Sequence, residues 1–296
     1  MIGFLSSKTA EIMALAAATL FPLGLVLLKK GYDHSSPLYG TSIVTAINAV
    51  LLWIIALSRA HNELSFSSAV LFFVIGGFIG HGLARYLQFI GLHHIGAARN
   101  TTLIAGTSAL LGVIIATIFL HERPTLLVIL GTLALMLGMA LLAQDSKKTK
   151  WKPVYVLFPL ASALLYAIMS TLYKEGLDRL PDAILAGAIG LTAASFAMLL
   201  FLIPEIRKNK LPQSSIIKKA LPLFGAAGII NTIGLVLNFE ALKLGQVSII
   251  HPILNSQPLF ATLYGYLFLK QHEKITLHVV LGAIVVVAGI VMITAF

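Results

Sequence analysis

Ten apolar runs, separated by short polar connections, dominate this chain, falling near residues 10–29, 38–58, 66–92, 97–120, 124–143, 153–173, 182–203, 218–242, 247–269 and 276–296. A hydrocarbon core about 30 Å thick takes about 20 helical residues per crossing, so each run fits one membrane-spanning helix. The expected fold is therefore all-α and integral to the membrane. Composition agrees: 58% of residues are hydrophobic and 11% are charged, against about 25% charged in soluble domains. A water-soluble chain this apolar would expose large greasy patches, whereas lipid solvates such a surface. The absence of cysteine excludes a disulfide scaffold and a cysteine-based metal or redox site. The first run lacks the small-residue cleavage pattern of a signal peptide and has a counterpart later in the chain, so it is expected to be retained.

That counterpart belongs to an internal repeat. Lys29, Gly31 and Asp33 close the first predicted helix, and Lys174, Gly176 and Asp178 close the sixth at an offset of 145. Phe89, Leu92 and Gly96 answer to Phe239, Leu242 and Gly245, while Glu122, Gly131 and Gly138 answer to Glu273, Gly282 and Gly289 at an offset of 151. The drift falls where loops absorb it. Five helices per copy is an odd number, so the second copy enters the membrane from the side opposite the first. The reading is ten transmembrane helices in two inverted five-helix repeats, residues 1–145 and 151–296. Such pairs recur in secondary transporters, with the substrate site near the midplane between the halves.

Ionisable groups at membrane depth are costly and are candidate functional residues by default. The third predicted helix carries His81, Arg85 and Gln88 at i, i+4 and i+7, which puts them on one face. An offset of 150 lands on Asn231, Leu235 and Asn238 of the eighth helix. The same face is polar in both copies, and symmetry breaks only where Arg85 meets a leucine. Facing stripes of this kind would line a central cavity. Arg85 stands roughly 9 Å past the helix middle at 1.5 Å per residue, within reach of either the interior or the headgroups. Glu240 lies roughly 24 Å away along the membrane normal by the same rise, so Arg85 lacks an obvious protein carboxylate. An anionic group on a substrate is its natural complement.

The ninth helix contains His251, Pro252, Asn255 and Pro258. Two prolines within seven residues free backbone carbonyls, as happens at structural kinks, binding sites and gates. The expected substrate-binding residues are thus His81, Arg85, Gln88, Asn231, Asn238, His251 and Asn255, with Pro252 and Pro258 in gating. Gly76, Gly77, Gly80, Gly82, Gly131 and Gly138 recur at helical spacings and point to close helix packing.

The chain resembles the EamA module of the drug/metabolite transporter superfamily. The resemblance rests on the repeated ending, Phe119-Leu120-His121-Glu122-Arg123 leading through Gly131 to Gly138, and Phe268-Leu269-Lys270-Gln271-His272-Glu273 leading to Gly282 and Gly289, together with Pro258. It covers nearly the whole chain and is specific for family, not for substrate. It implies two inverted five-helix repeats, a central cavity open to one side at a time, and movement of amino acids, their derivatives or organic acids. Ser108 stands where the second copy has Pro258, so the kink is expected on one side only.

Orientation stays open between two signals. Connections on the side of the termini carry Lys8, Arg59, Arg123, Lys174, Arg179 and Lys243; the opposite connections carry more than twice as many basic residues, among them Lys147, Lys148, Lys150 and Lys152. The positive-inside rule then places the termini outside, whereas the family resemblance implies cytoplasmic termini. The net charge of +10 lies in loops without interleaved aromatics, which speaks against a nucleic-acid partner. The expected partners are a small-molecule metabolite, the lipid bilayer of the cytoplasmic or inner membrane, and protons as a coupling ion through His81, His251, Glu11 or Glu240. No cofactor is expected. Paired acid and base groups at one depth, which an intramembrane enzyme needs, are lacking. Transport of a small polar metabolite is the leading reading, and drug or toxic-metabolite export by the same fold is the alternative.

Overall fold

The computed structural model describes residues 2–32, 36–59, 68–142, 152–207, 214–268 and 276–295. Asp33, Leu269 to Glu273 and the loop lysines Lys147, Lys148 and Lys150 lie outside them. The described residues contain helices and no strand: α1 (Ile2–Tyr32), α2 (Pro37–Arg59), α3 (Ala69–Gly76), a π-helical segment (Gly77–Ala84), α4 (Arg85–Ile95), α5 (Ala97–Phe119), α6 (Leu126–Leu142), a 3₁₀ turn (Pro153–Val156), α7 (Leu157–Arg179), α8 (Ala183–Arg207), α9 (Ser214–Leu244), α10 (Val247–Leu254), α11 (Gln257–Phe268) and α12 (Leu277–Thr294). Lipid offers the backbone no hydrogen bonds, so continuous helices are how such a sequence satisfies itself.

Eight of these rods are long and apolar enough to cross a membrane; α3, the π segment and α4 count as one rod, Ala69–Ile95. The sequence reading expected ten. The fifth predicted helix is the 17-residue α6, about 26 Å long at 1.5 Å per residue. The ninth is broken in two at Asn255–Ser256. The prolines explain the break, since Pro252 and Pro258 carry no N–H for the helical ladder.

Helix ends are capped by side chains or tight turns. Asp182 Oδ1 accepts from the amides of Ile184 and Leu185 at the start of α8. Gly96, at φ 85°, joins α4 to α5 through a single residue, a conformation that costs glycine nothing. Within the helices, Ser42, Thr45, Thr132, Thr192 and Ser195 donate to the carbonyl four residues back. Their hydroxyls are thereby consumed locally.

The repeated glycines receive the bulk of the opposite copy. The ring of Phe224 on α9 occupies the space a Cβ at Gly31 would need, and the ring of Phe73 on α3 does the same at Gly176 of α7. Both phenylalanines are fully buried. Helices α6 and α12 pack antiparallel through four glycines: a Cβ on Gly131 would lie 2.7 Å from the Gly289 carbonyl oxygen, and one on Gly138 would lie 2.8 Å from that of Gly282. The reverse contacts have the same lengths. Reciprocity of this kind is what a two-fold relation between the copies produces, and it explains why these glycines are written twice.

Gly138→Leu therefore drives a side chain into the α12 backbone. Overpacking costs about 1–3 kcal/mol, and thermal unfolding in detergent should show a lower midpoint for this variant than for Gly225→Leu, where the Cβ meets nothing within 4 Å.

Candidate functional site

The rod that carries His81 and Arg85 changes its winding between Gly77 and Ala84. Widened π turns of this kind recur at functional sites. Glycine makes the segment possible here, because Gly77 lies against the Gly190 backbone on α8 and Gly80 against the Met169 side chain on α7. Seven residues apart on this rod, His81 and Gln88 meet tyrosines seven residues apart on α7. His81 packs beside Tyr173 of α7 and Phe239 of α9, with ring centroids 6.3 and 6.4 Å away. Gln88 instead faces Tyr166 of α7, whose hydroxyl donates to Gln88 Oε1 at 2.8 Å.

Arg85 stands between them, half-buried. Its charge reaches the Tyr166 hydroxyl, His81 and Tyr32. Two further bonds fix this end of the rod: Ser162 Oγ donates to the Ala84 carbonyl at 2.8 Å, and Asn100 Nδ2 donates to that of Gln88 at 2.9 Å. No carboxylate of the described residues lies within 4 Å of Arg85. Their ion pairs are Lys8–Glu11, Lys174–Asp178, Arg179–Glu175 and Lys243–Glu240, all at the end of the bundle that holds the termini. A cavity of about 330 Å³ opens at that same end, lined by Glu11, Lys174 and residues 244–246, 249 and 250.

Among the described residues, seven buried side-chain atoms lack a hydrogen-bond partner: His81 Nε2, Arg85 Nε, Asn100 Oδ1, Tyr173 OH, Asn231 Oδ1, Asn238 Oδ1 and Ser248 Oγ. Four belong to the polar stripes read from the sequence. Buried polar atoms are almost always paired, and each exception needs an explanation. Asn231 is seated against Gly24 of α1, where a Cβ would displace it, and Asn238 is only 7% exposed. No described hydrogen bond joins the polar residues of α9 to those of the Arg85 rod. The contact between these two elements that is seen is the packing of Phe239 on His81.

His251 occupies a different place. Its Nε2 pairs with Ser108 Oγ of α5 at 2.8 Å and its Nδ1 with Ser170 Oγ of α7 at 2.7 Å; Gly112 leaves room for the ring. Both nitrogens are thus committed, and the residue ties α10 to two neighbours. Asn255 Nδ2 donates to the His251 carbonyl at 2.8 Å and Ser256 Oγ to that of Ile253 at 2.7 Å, which satisfies carbonyls at the proline break. Glu122, read as a motif residue, caps α10: its two carboxylate oxygens each accept one amide, from Val247 and Ser248, both at 2.8 Å. Sequence reasoning did not single out Tyr166, Tyr173 or Ser170. The available signal was that a tyrosine hydroxyl at membrane depth needs a partner.

With this geometry in hand, the comparisons with known proteins are direct. The chain matches the EamA-like transporter family over residues 8–144 and again over 153–295, and it belongs to that family. It is an integral, multi-pass membrane protein of a transporter family. A curated relative, the uncharacterized transporter YvbV of Bacillus subtilis (strain 168), is 24% identical over 291 residues, covering 97% of this chain and 92% of its own. A solved crystal structure at 19% identity superposes with a TM-score of 0.75 over 96% of this chain and 98% of that one, which supports the fold.

Glu122→Ala removes both cap bonds from α10. Losing a cap costs about 1–2 kcal/mol, so the thermal midpoint should fall, while Arg123→Ala, at an exposed neighbour, should leave it unchanged.

Proposed function

We propose that this protein is a secondary carrier for a small polar metabolite, an amino acid, a derivative or an organic anion, moved across the cytoplasmic membrane by alternating access. The observation that carries the reading is the set of buried, unpartnered polar atoms on His81, Arg85, Asn231 and Asn238, of which His81 and Asn231 fall at corresponding positions of the two copies. A solute's own polar groups complete such bonding. Gln88 contributes by orienting its neighbours. The repeats, residues 1–145 and 151–296, are the moving units.

The broken ninth helix supplies the gate in this scheme. Seven of the eight residues of α10 are buried, and none of α11 is. Glu122, Ser108 and Ser170 hold α10 in place, so Asn255–Ser256 is the hinge and α11 the half that swings, with Pro252 and Pro258 on either side. His251 and Asn255 then serve this hinge as well as the site. Export of a cationic drug, the alternative, would want a free carboxylate at membrane depth, and Glu240 is held by Lys243. Protons remain a candidate coupling ion through His81, whose Nε2 is unpartnered.

Counterflow in proteoliposomes tests the reading. Vesicles loaded with unlabelled amino acids or organic acids should accumulate the labelled solute transiently and saturably, and Asn238→Ala should raise the half-saturating concentration about tenfold, the loss of one hydrogen bond of about 1.4 kcal/mol. Flux that rises linearly with concentration would point to a channel instead.

A further inference from the structure

Within the polar stripe shared by the two copies, Arg85 is where they differ in charge, because Leu235 stands at its place in the second, and the structure surrounds it with neutral hydrogen-bonding groups. A guanidinium at membrane depth is stable only with partners. The neighbour its charge reaches here is the hydroxyl of Tyr166, which donates its own proton to Gln88 Oε1. A neutral hydroxyl beside the planar fork does not neutralise it. Arg85 Nε stays buried and unpartnered, as does Nε2 of His81, which is 8% exposed and precedes it by four residues. Glu11 and Glu240 lie toward the other end of the bundle and are engaged there, with Lys8 and Lys243 respectively.

Resting on the carrier reading above, we infer that Arg85 is the subsite for one anionic group of the transported solute, so that the protein selects organic anions over their neutral and cationic counterparts. Carboxylate, sulfonate and phosphate share the required chemistry, since each offers two oxygens to the guanidinium fork. Tyr166 and Gln88 are positioning residues. They hold the fork in one orientation and touch the solute only through it. Because Leu235 replaces the arginine in the second copy, the site is polarised. The anionic end of the solute lies toward Tyr32 and Gln88, and the unpartnered amides of Asn231 and Asn238 meet its neutral polar groups.

The test uses purified full-length protein in detergent and matched probes of one skeleton: benzoate and benzamide, butyrate and butyramide, glutarate and glutaramide, benzenesulfonate and benzenesulfonamide, phenyl phosphate and phenol. A ligand that binds the folded state raises the thermal midpoint by mass action. At least one anion should raise it while its neutral partner, at the same concentration, does not. The productive pair among the five identifies the anionic group. Arg85→Gln should weaken that anion on the order of 10- to 100-fold, the range for hydrogen bonds to a charged group, and Arg85→Lys should restore part of the loss. Tyr166→Phe should weaken the anion by a smaller factor and leave the weak binding of the neutral partner unchanged, an effect that a merely structural tyrosine would not have. The inference is overturned if neutral partners stabilise as well as anions, if Arg85→Gln keeps the anion's shift, or if no anion shifts the wild type. Counterflow separates this result from the carrier reading: anions that bind through Arg85 without counterflow refute transport and leave the subsite standing, whereas neutral solutes that exchange equally in wild type and Arg85→Gln refute the subsite and leave transport standing.

Discussion

A polar atom inside a bilayer has no water to fall back on, and that requirement organises this molecule. Most of its polar side chains meet the requirement locally: serines and threonines bond to carbonyls one turn back, Asp182 and Glu122 cap helices, and His251 is held between two serines. The helices can then pack through glycine, because nothing else is left to satisfy along most faces. What remains is a short set of unpartnered atoms, and four of the seven lie on the Arg85 rod and on α9. These unpartnered atoms are the basis of the binding site proposed above.

Much of this was legible in the sequence because polar spacing, unlike apolar content, repeats only for a reason. The copies could be aligned on Lys, Gly, Glu and Asp, and the alignment carried His81 onto Asn231 without any coordinates. The glycines at 131, 138, 282 and 289 were read as packing positions, and they are. Their partners were not readable, since the contact crosses from one copy to the other. Three features stayed hidden for physical reasons. The π segment keeps an apolar, glycine-rich pattern that a regular helix would also show, so it leaves no periodic trace. Tyr166 and Tyr173 look like ordinary apolar-face aromatics until their hydroxyls are placed. Glu122 sat in a recognised motif, but its work is done 125 residues away at the start of α10.

The two copies are alike in packing and unlike at the site. Phe224 fills the space at Gly31 as Phe73 does at Gly176, yet Arg85 faces a leucine position, and only the second copy breaks its penultimate helix at a proline. Shared packing relates the two halves of the bundle. In the carrier reading, the differences give the site a direction and set apart α11, which packs no residue fully into the core. Asymmetry of this sort is what lets one side of a two-fold scaffold respond to a solute differently from the other.

The central claim is that the polar face around Asn231 meets water from each side in turn. The chain contains no cysteine, so Asn231→Cys introduces a single thiol without further engineering. In proteoliposomes, a membrane-impermeant thiol reagent applied from outside or sealed within should label this cysteine from either side, and a transported solute should slow both reactions. A thiol that reacts from one side only, or from neither, would contradict alternating access at this site.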